Sequence, residues 1–210
     1  MPFTPLSPQL LTQELANWIV DLPGEHPAVG VDGAREIGAA ALADTVAERV
    51  MSLGRPVLRA STQWWWRPAS LRLELGRTDV DTLLYGWVDT GSIRRELFEP
   101  LAPGGSGLVL RRLRDPGTDR SVRASPDRAQ DRAVVVLDGP FLLAAEVPLD
   151  HVVHLQVSPG AIARALPAER AWWLPAFDRY RRENQPEQSA DVVVSYDHPG
   201  SPAVRWAADR

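Results

Sequence analysis

The sequence predicts an α/β fold, a three-layer sandwich with helices on both faces of a central, mainly parallel β-sheet. Short apolar runs that do not alternate with polar residues, such as Ala133-Val134-Val135-Val136-Leu137, read as strands buried on both faces. Segments of helical spacing lie between them, and the alternation of strand and helix continues to Ser195. The first such strand feeds a glycine-bounded loop ahead of an alanine-rich helix. In sheets of this kind ligands bind beyond the carboxyl ends of the strands, at the point where the strand order reverses.

From Ser7 to Leu22, the residues Leu11, Leu15, Trp18, Ile19 and Leu22 fall on one face of an amphipathic helix, which Pro23-Gly24 ends. Ala28 to Asp32 reads as a short buried strand leading into Gly33. The run from Gly38 to Leu53 is rich in alanine, with Leu42, Val46 and Val50 four apart, and reads as a helix. Pro56 to Ser61 is the second strand, followed by three tryptophans, for which strand alternation would send Trp64 and Trp66 one way and Trp65 the other. Ile93 to Leu101 has helical spacing. Pro103 to Gly107 marks a turn and Ser121 to Asp131 a polar loop. Ala133 to Leu137 is the clearest strand and stops at Asp138-Gly139-Pro140. His151 to Val157 is a strand that passes through a Ser158 cap and Pro159 into a helix. Leu174 to Asn184 is helical, and Ala190 to Ser195 is the last strand. The Pro/Gly-rich segment after His198 reads as a surface extension. With 210 residues, 44% of them hydrophobic, the chain suits a single domain: an N-terminal helix in 1–24, a core in 25–197 and a tail in 198–210.

A net charge of -4 gives no basic footprint for nucleic acid. No stretch approaches the roughly 20 apolar residues of a membrane span, and the amino terminus lacks the flank and core of a secretion signal. These features predict a cytoplasmic protein without nucleic-acid or membrane partners. There is no cysteine, so neither a disulfide nor a thiolate can form. All 23 basic residues are arginine. Whatever the cause, no lysine is available for a Schiff base or for reaching the phosphates of a nucleotide.

Five segments in order carry a resemblance: Val29-Gly30-Val31-Asp32-Gly33, Tyr85 to Gly91, Leu113 to Arg120, Val136 to Leu143 and Leu174 to Phe177. Together they resemble actinobacterial uridine-kinase-like proteins of the P-loop kinase superfamily, over most of the chain from Ala28 to Ser195. The resemblance implies a P-loop, nucleoside-kinase-like version of the α/β fold. The rule that ligands bind beyond the carboxyl ends of the strands independently selects Asp32 to Gly38, Ser61 to Arg67 and Asp138 to Phe141 as one mouth.

A working member needs G-x-x-x-x-G-K-[ST], whose amides cradle phosphates while the lysine neutralises charge and the hydroxyl helps hold Mg²⁺. Here the matching run is Gly33-Ala34-Arg35-Glu36-Ile37-Gly38-Ala39-Ala40. The glycines remain, the lysine and hydroxyl positions are alanine, and Glu36 adds a negative charge where a polyanion should enter. Gln63 or Trp64 falls where the family has the Asp that serves as base, and neither is a useful proton acceptor. Asp138 matches the Walker-B-like carboxylate. By looser carry-over, Asp89 and Arg94 lie in the segment that meets the acceptor sugar and Arg114 in the one that meets the base. Arg164, Arg179 and Arg181 fall in the lid region.

Asp32, Glu36 and Asp138 are therefore the candidate catalytic groups. Gly33, Arg35, Gly38, Gln63, Trp64, Trp65, Trp66, Arg67, Asp89, Arg94 and Arg114 are the candidate ligand contacts. Two carboxylates at neighbouring strand ends can split their pKa values and act as an acid/base pair, or they can simply cap the loop. Aromatic surface at a pocket mouth suits a neutral or cationic ring-bearing molecule, or the tryptophans can close the old nucleotide cleft. Trp172-Trp173 reads as packing under a helix start. His26, His151, His154 and His198 show no metal spacing and read as structural or exposed.

The leading expectation is a uridine-kinase-like protein that has lost ATP-dependent phosphotransfer, needs neither cofactor nor metal, and binds or converts an organic small molecule, as in specialised metabolism. The alternatives are a divergent nucleoside or metabolite kinase, which would use Mg²⁺-ATP with Arg35 or a lid arginine in place of lysine, and a non-catalytic pseudokinase with a protein partner. A homodimer stays open.

Overall fold

The structure, a computed structural model, describes residues 2–207. After β1 (Thr4–Pro5), the helix α1 (Pro8–Asp21) starts at Ser7, whose hydroxyl accepts the Leu10 N–H, with Pro8 in the first turn. Leu11, Leu15 and Ile19 are buried, on the face that their spacing predicts. The far end of α1 is held by the buried Arg55. Its Nη1 donates to the carbonyls of Ile19, Val20 and Leu22, and its Nε to that of Arg132. These satisfy carbonyls that a helix end would otherwise leave bare.

Then follow β2 (Ala28–Asp32), α2 (Ala39–Ser52) and β3 (Val57–Ser61). The long connection after β3 contains α3 (Ala69–Arg72), a π-helical turn at Thr82–Gly86, α4 (Thr90–Ile93), a second π-helical turn at Arg94–Phe98 and four two-residue strands. These strands are β4 (Leu108–Val109), β5 (Arg114–Asp115), β6 (Arg120–Ser121) and β7 (Asp127–Arg128), and β4 pairs with β7 as β5 pairs with β6. The remainder is β8 (Val134–Gly139), β9 (His151–Gln156), α5 (Pro159–Ala165), α6 (Leu174–Asn184), α7 (Pro186–Ser189), β10 (Val192–Ser195) and β11 (Ala203–Trp206).

The main sheet has the order β1-β11-β10-β9-β2-β8-β3. Its strands from β10 to β3 are parallel, and β11 and β1 extend it in the antiparallel sense. The fold is thus α/β with a mainly parallel central sheet, as the unalternating apolar strands predict. One core lies on the side of α1 and α2, around Val29, Val31, Leu42, Val46 and Val136. A second lies on the other side, around Ala60, Trp65, Ile93, Leu97, Val135 and Leu137. Because β2 lies between β8 and β9, both later in the chain, its carboxyl end is the switch point where a crevice opens.

Two sequence expectations change. Residues after His198 are not merely a surface extension, since 203–206 form β11 and pair with both β10 and β1. The run Ala203-Val204-Arg205-Trp206 is too short to announce itself, and its ladder bonds, not its pattern, fix it. Residues 208–210 of the expected tail lie outside the described residues. The tryptophan run is also no continuation of a strand: Thr62–Trp65 coil into a 3-10 turn, so period-two alternation does not apply.

Candidate functional site

Parallel register brings three strand ends level, with Asp32 opposite Gly139 and Ser61 opposite Asp138. Asp32 to Gly38, Ser61 to Trp66 and Asp138 to Phe141 therefore share one mouth. The loop between β2 and α2 makes a 3-10 turn at Arg35–Ile37 and ends at Gly38, whose φ of 99° suits glycine. Three of its amides are turned on the loop itself. Ile37 N donates to Ala34 O (3.2 Å), Gly38 N to Arg35 O (2.9 Å) and Ala39 N to Ala34 O (3.4 Å), while Gly33 N reaches Gly139 O (3.0 Å). Arg35 Nη1 crosses the mouth to Gln63 Oε1 (3.1 Å). Glu36 forms an ion pair with Arg170, and that guanidinium lies 5.0 Å from the Trp173 ring. Glu36 thus has a fixed partner and does not stand free as a proton acceptor.

Asp138 is buried against a cation. Arg59 rises from the middle of β3 and places Nη2 2.6 Å from Asp138 Oδ1, an ion pair without the alignment of a hydrogen bond. The same guanidinium gives Nε to Asp44 Oδ1 on α2 at 2.8 Å. The Ser61 hydroxyl donates to Asp138 Oδ2 at 3.1 Å. Burial pushes the Asp138 carboxyl above its ordinary value, and Arg59 pulls it part of the way back.

Asp32 is equally engaged. Oδ1 accepts the Leu142 N–H at 2.9 Å, and Oδ2 accepts the Tyr180 hydroxyl at 2.8 Å and His154 Nδ1 at 2.7 Å. Tyr180 in turn accepts the Leu143 N–H at 3.2 Å. Burial first, then the charge of Asp32, raises the Tyr180 hydroxyl well above the ordinary tyrosine value, so it remains a neutral donor. With three donors on it, Asp32 is an anchor and an orienting group. The pair that two strand-end carboxylates might form is not built, because each carboxylate has its own partners.

The tryptophans divide. Trp65 is 0% exposed and belongs to the second core, and Trp64 packs over the same core, so neither faces the mouth as a ligand contact. Trp66 joins Trp87 (ring centroids 5.2 Å apart) and Trp173 (6.3 Å). Arg72 stacks on this group, 5.1 Å from the Trp66 ring and 4.7 Å from the Trp87 ring. The attraction that indole faces would offer a cationic ligand is in part taken by the protein's own guanidinium. Thr62, Trp66, Trp87, Phe141 and Trp173 line a cavity of about 20 Å³. A second, of about 30 Å³, lies behind Phe141 against Asp32, His154 and Tyr180.

Other expected contacts lie away from the mouth or serve the backbone. Arg67 is exposed. Asp89 caps α4, accepting the Ser92 N–H and hydroxyl. Arg94 donates to Glu146 O and lines a groove near the amino ends of β2 and β9. Arg114 sits in the β5–β6 ribbon and donates to Asp119 O. The groups that sequence reasoning missed are Arg59, His154, Tyr180, Trp87 and Trp173. A signal existed for two of them, since a charged or polar residue inside a buried strand needs a partner. Among the described residues no group of three or more His, Asp or Glu side chains could hold a metal ion, and no helix is long and apolar enough to cross a membrane.

No protein-family model and no curated protein sequence matches the chain. Solved structures do. A protein described as a possible uridine kinase from Bacillus stearothermophilus superposes with a TM-score of 0.70 at 19% identity, over 88% of this chain and 97% of that one. A protein provisionally described as a fructose transport system kinase from Silicibacter sp. TM1040 gives 0.51 at 16% identity, over 85% and 90%. At these identities the likeness is one of fold.

Proposed function

We propose that this chain keeps a uridine-kinase-like P-loop fold without ATP-dependent phosphoryl transfer, and that its mouth serves an organic, ring-bearing small molecule. One observation carries the first half: in the loop that would have to cradle a phosphate, the amides of Ile37, Gly38 and Ala39 donate to the loop's own carbonyls and that of Gly33 donates to Gly139 on β8. The residues around it agree. Ala39 and Ala40 offer neither lysine nor hydroxyl, Glu36 engages Arg170 in an ion pair, and Arg59 supplies beside Asp138 the positive charge that a divalent cation would otherwise bring. These residues do not fit Mg²⁺-ATP. Of the substitute arginines, Arg35 is bound to Gln63 and Arg179 to Asp81 and Glu183, which weighs against a kinase that relies on either.

The second half rests on the aromatic walls of the cavity beside Trp66 and on Trp173, whose buried indole N–H has no acceptor among the described residues. An unpaired buried donor costs about 1 to 3 kcal/mol, which a ligand's acceptor atom would recover. The small size of that cavity favours a second reading, a non-catalytic protein whose tryptophans plug the old cleft and whose partner is another protein.

Calorimetry with Mg²⁺-ATP tests the first half: the expected result is no saturable heat below millimolar concentration, and micromolar binding would overturn it. The variant carrying Ala39→Lys and Ala40→Thr is expected to stay inactive as a kinase, because the inward amides, Glu36 and Arg59 remain.

A further inference from the structure

Phe141 is the wall shared by the two cavities at the mouth. Its ring packs on Phe177 (4.7 Å) and Tyr180 (5.4 Å), and its backbone lies at φ 65°, a left-handed conformation in which a bulky side chain is a genuine outlier. On one side of it stand Trp66, Trp87 and Trp173. On the other, Asp32 fixes the tautomer of His154 by accepting from Nδ1, which makes the neutral ring's Nε2 an acceptor. Nε2 has no hydrogen-bond partner among the described residues, and the His154 side chain keeps 11% exposure beside the cavity. Beside each cavity therefore stands a residue with a ring nitrogen that has no hydrogen-bond partner among the described residues, a donor at Trp173 and an acceptor at His154, and between them lies Phe141 with its left-handed backbone.

We propose that the two cavities are halves of one site, joined when Phe141 swings aside, and that it takes an aromatic molecule bearing a hydroxyl. The ring lies against Trp66, Trp87 and Trp173, and the hydroxyl donates to His154 Nε2. This rests on the proposal that the mouth accepts a ring-bearing molecule and adds the functional group that such a molecule must carry. No bond is made or broken in it. Asp32 acts through His154, as a positioning residue.

Phenol and toluene, titrated into the full chain and followed by ligand-observed NMR, test it. Hydrophobicity alone favours toluene, and a buried hydroxyl without a partner would be penalised. The expected result is a preference for phenol of about tenfold, the size of one net hydrogen bond. In His154→Asn, where the amide can still donate to Asp32 but Nε2 is gone, that preference should vanish while toluene binding stays. Phe141→Leu, which narrows the partition, should tighten both ligands and keep the preference. If both bind wild type with toluene equal or stronger, the aromatic mouth stands and the role of His154 is overturned. Should neither bind wild type or Phe141→Leu, the ring-binding mouth itself falls, and this inference with it.

Discussion

Arg59 bridges Asp138 and Asp44, the two carboxylates that balance its charge. Removing one member of a buried pair leaves the other uncompensated, so Arg59→Met should cost about 3 to 5 kcal/mol at neutral pH. The loss should depend on pH in a defined direction. Burial raises the Asp138 carboxyl, so the folded state binds that proton more tightly than the unfolded chain does. The contribution is fully present below the ordinary carboxylate value and is lost as pH rises through the elevated one, and without Arg59 the elevation grows. Denaturant titrations should therefore show the variant closer to wild type at pH 4.5 than at pH 8, and an equal gap at both would contradict the pairing. Asp32 and Asp138 were legible from sequence as strand-end carboxylates. Their partners were not, because His154 lies 122 residues and Tyr180 148 residues from Asp32, and only the β2–β9 register and the packing of α6 bring them together.

The elements were legible where one periodicity persisted. Leu174–Asn184 is helical over the span that its spacing predicts, and β8 and β9 match the expected strands Ala133 to Leu137 and His151 to Val157 to within two residues at each end. Between Thr62 and Gln130 the chain uses 3-10 and π-helical turns and two-residue strands, too short to set a period, which is why the tryptophans were read on the wrong geometry. In that turn Thr62 is pressed onto the end of β8: a Cβ at Gly139 would stand 2.0 Å from Thr62 Oγ1. Gly139→Ala should destabilise by about 1 to 3 kcal/mol or more, since Thr62 is buried and has little room to retreat. Trp65→Ala should cost about 3 to 5 kcal/mol. Trp66→Ala, at a half-buried position, should cost less and change ring binding more. Thermal melts alongside phenol titrations separate the two, and equal losses of stability would place both residues in the core.

At the scale of the whole molecule, the sheet is completed by β11, paired on both sides. Deleting residues 203–210 should bare the edge of β10 and leave β1 without its neighbour. The expected outcome is a lower melting temperature and self-association on size-exclusion chromatography, because an uncovered edge invites pairing with another chain; a monomer of unchanged stability would show the edge strand to be dispensable. The staple at the other end of the architecture bears on motion. A helix near the start of a chain ordinarily frays and exchanges its amide hydrogens through local opening at little cost. Here three carbonyls at the end of α1 are held by Nη1 of Arg55, just ahead of β3, while Nε of the same side chain holds Arg132 just ahead of β8. Freeing α1 means stripping that guanidinium from the amino-terminal rim of the sheet as well. The amides of α1 should consequently exchange deuterium on the same slow timescale as those of β8. In Arg55→Lys a compact ammonium replaces the fork and cannot span these carbonyls, so α1 should become the fast-exchanging unit while β8 stays slow, and the chain would divide into two independently opening parts.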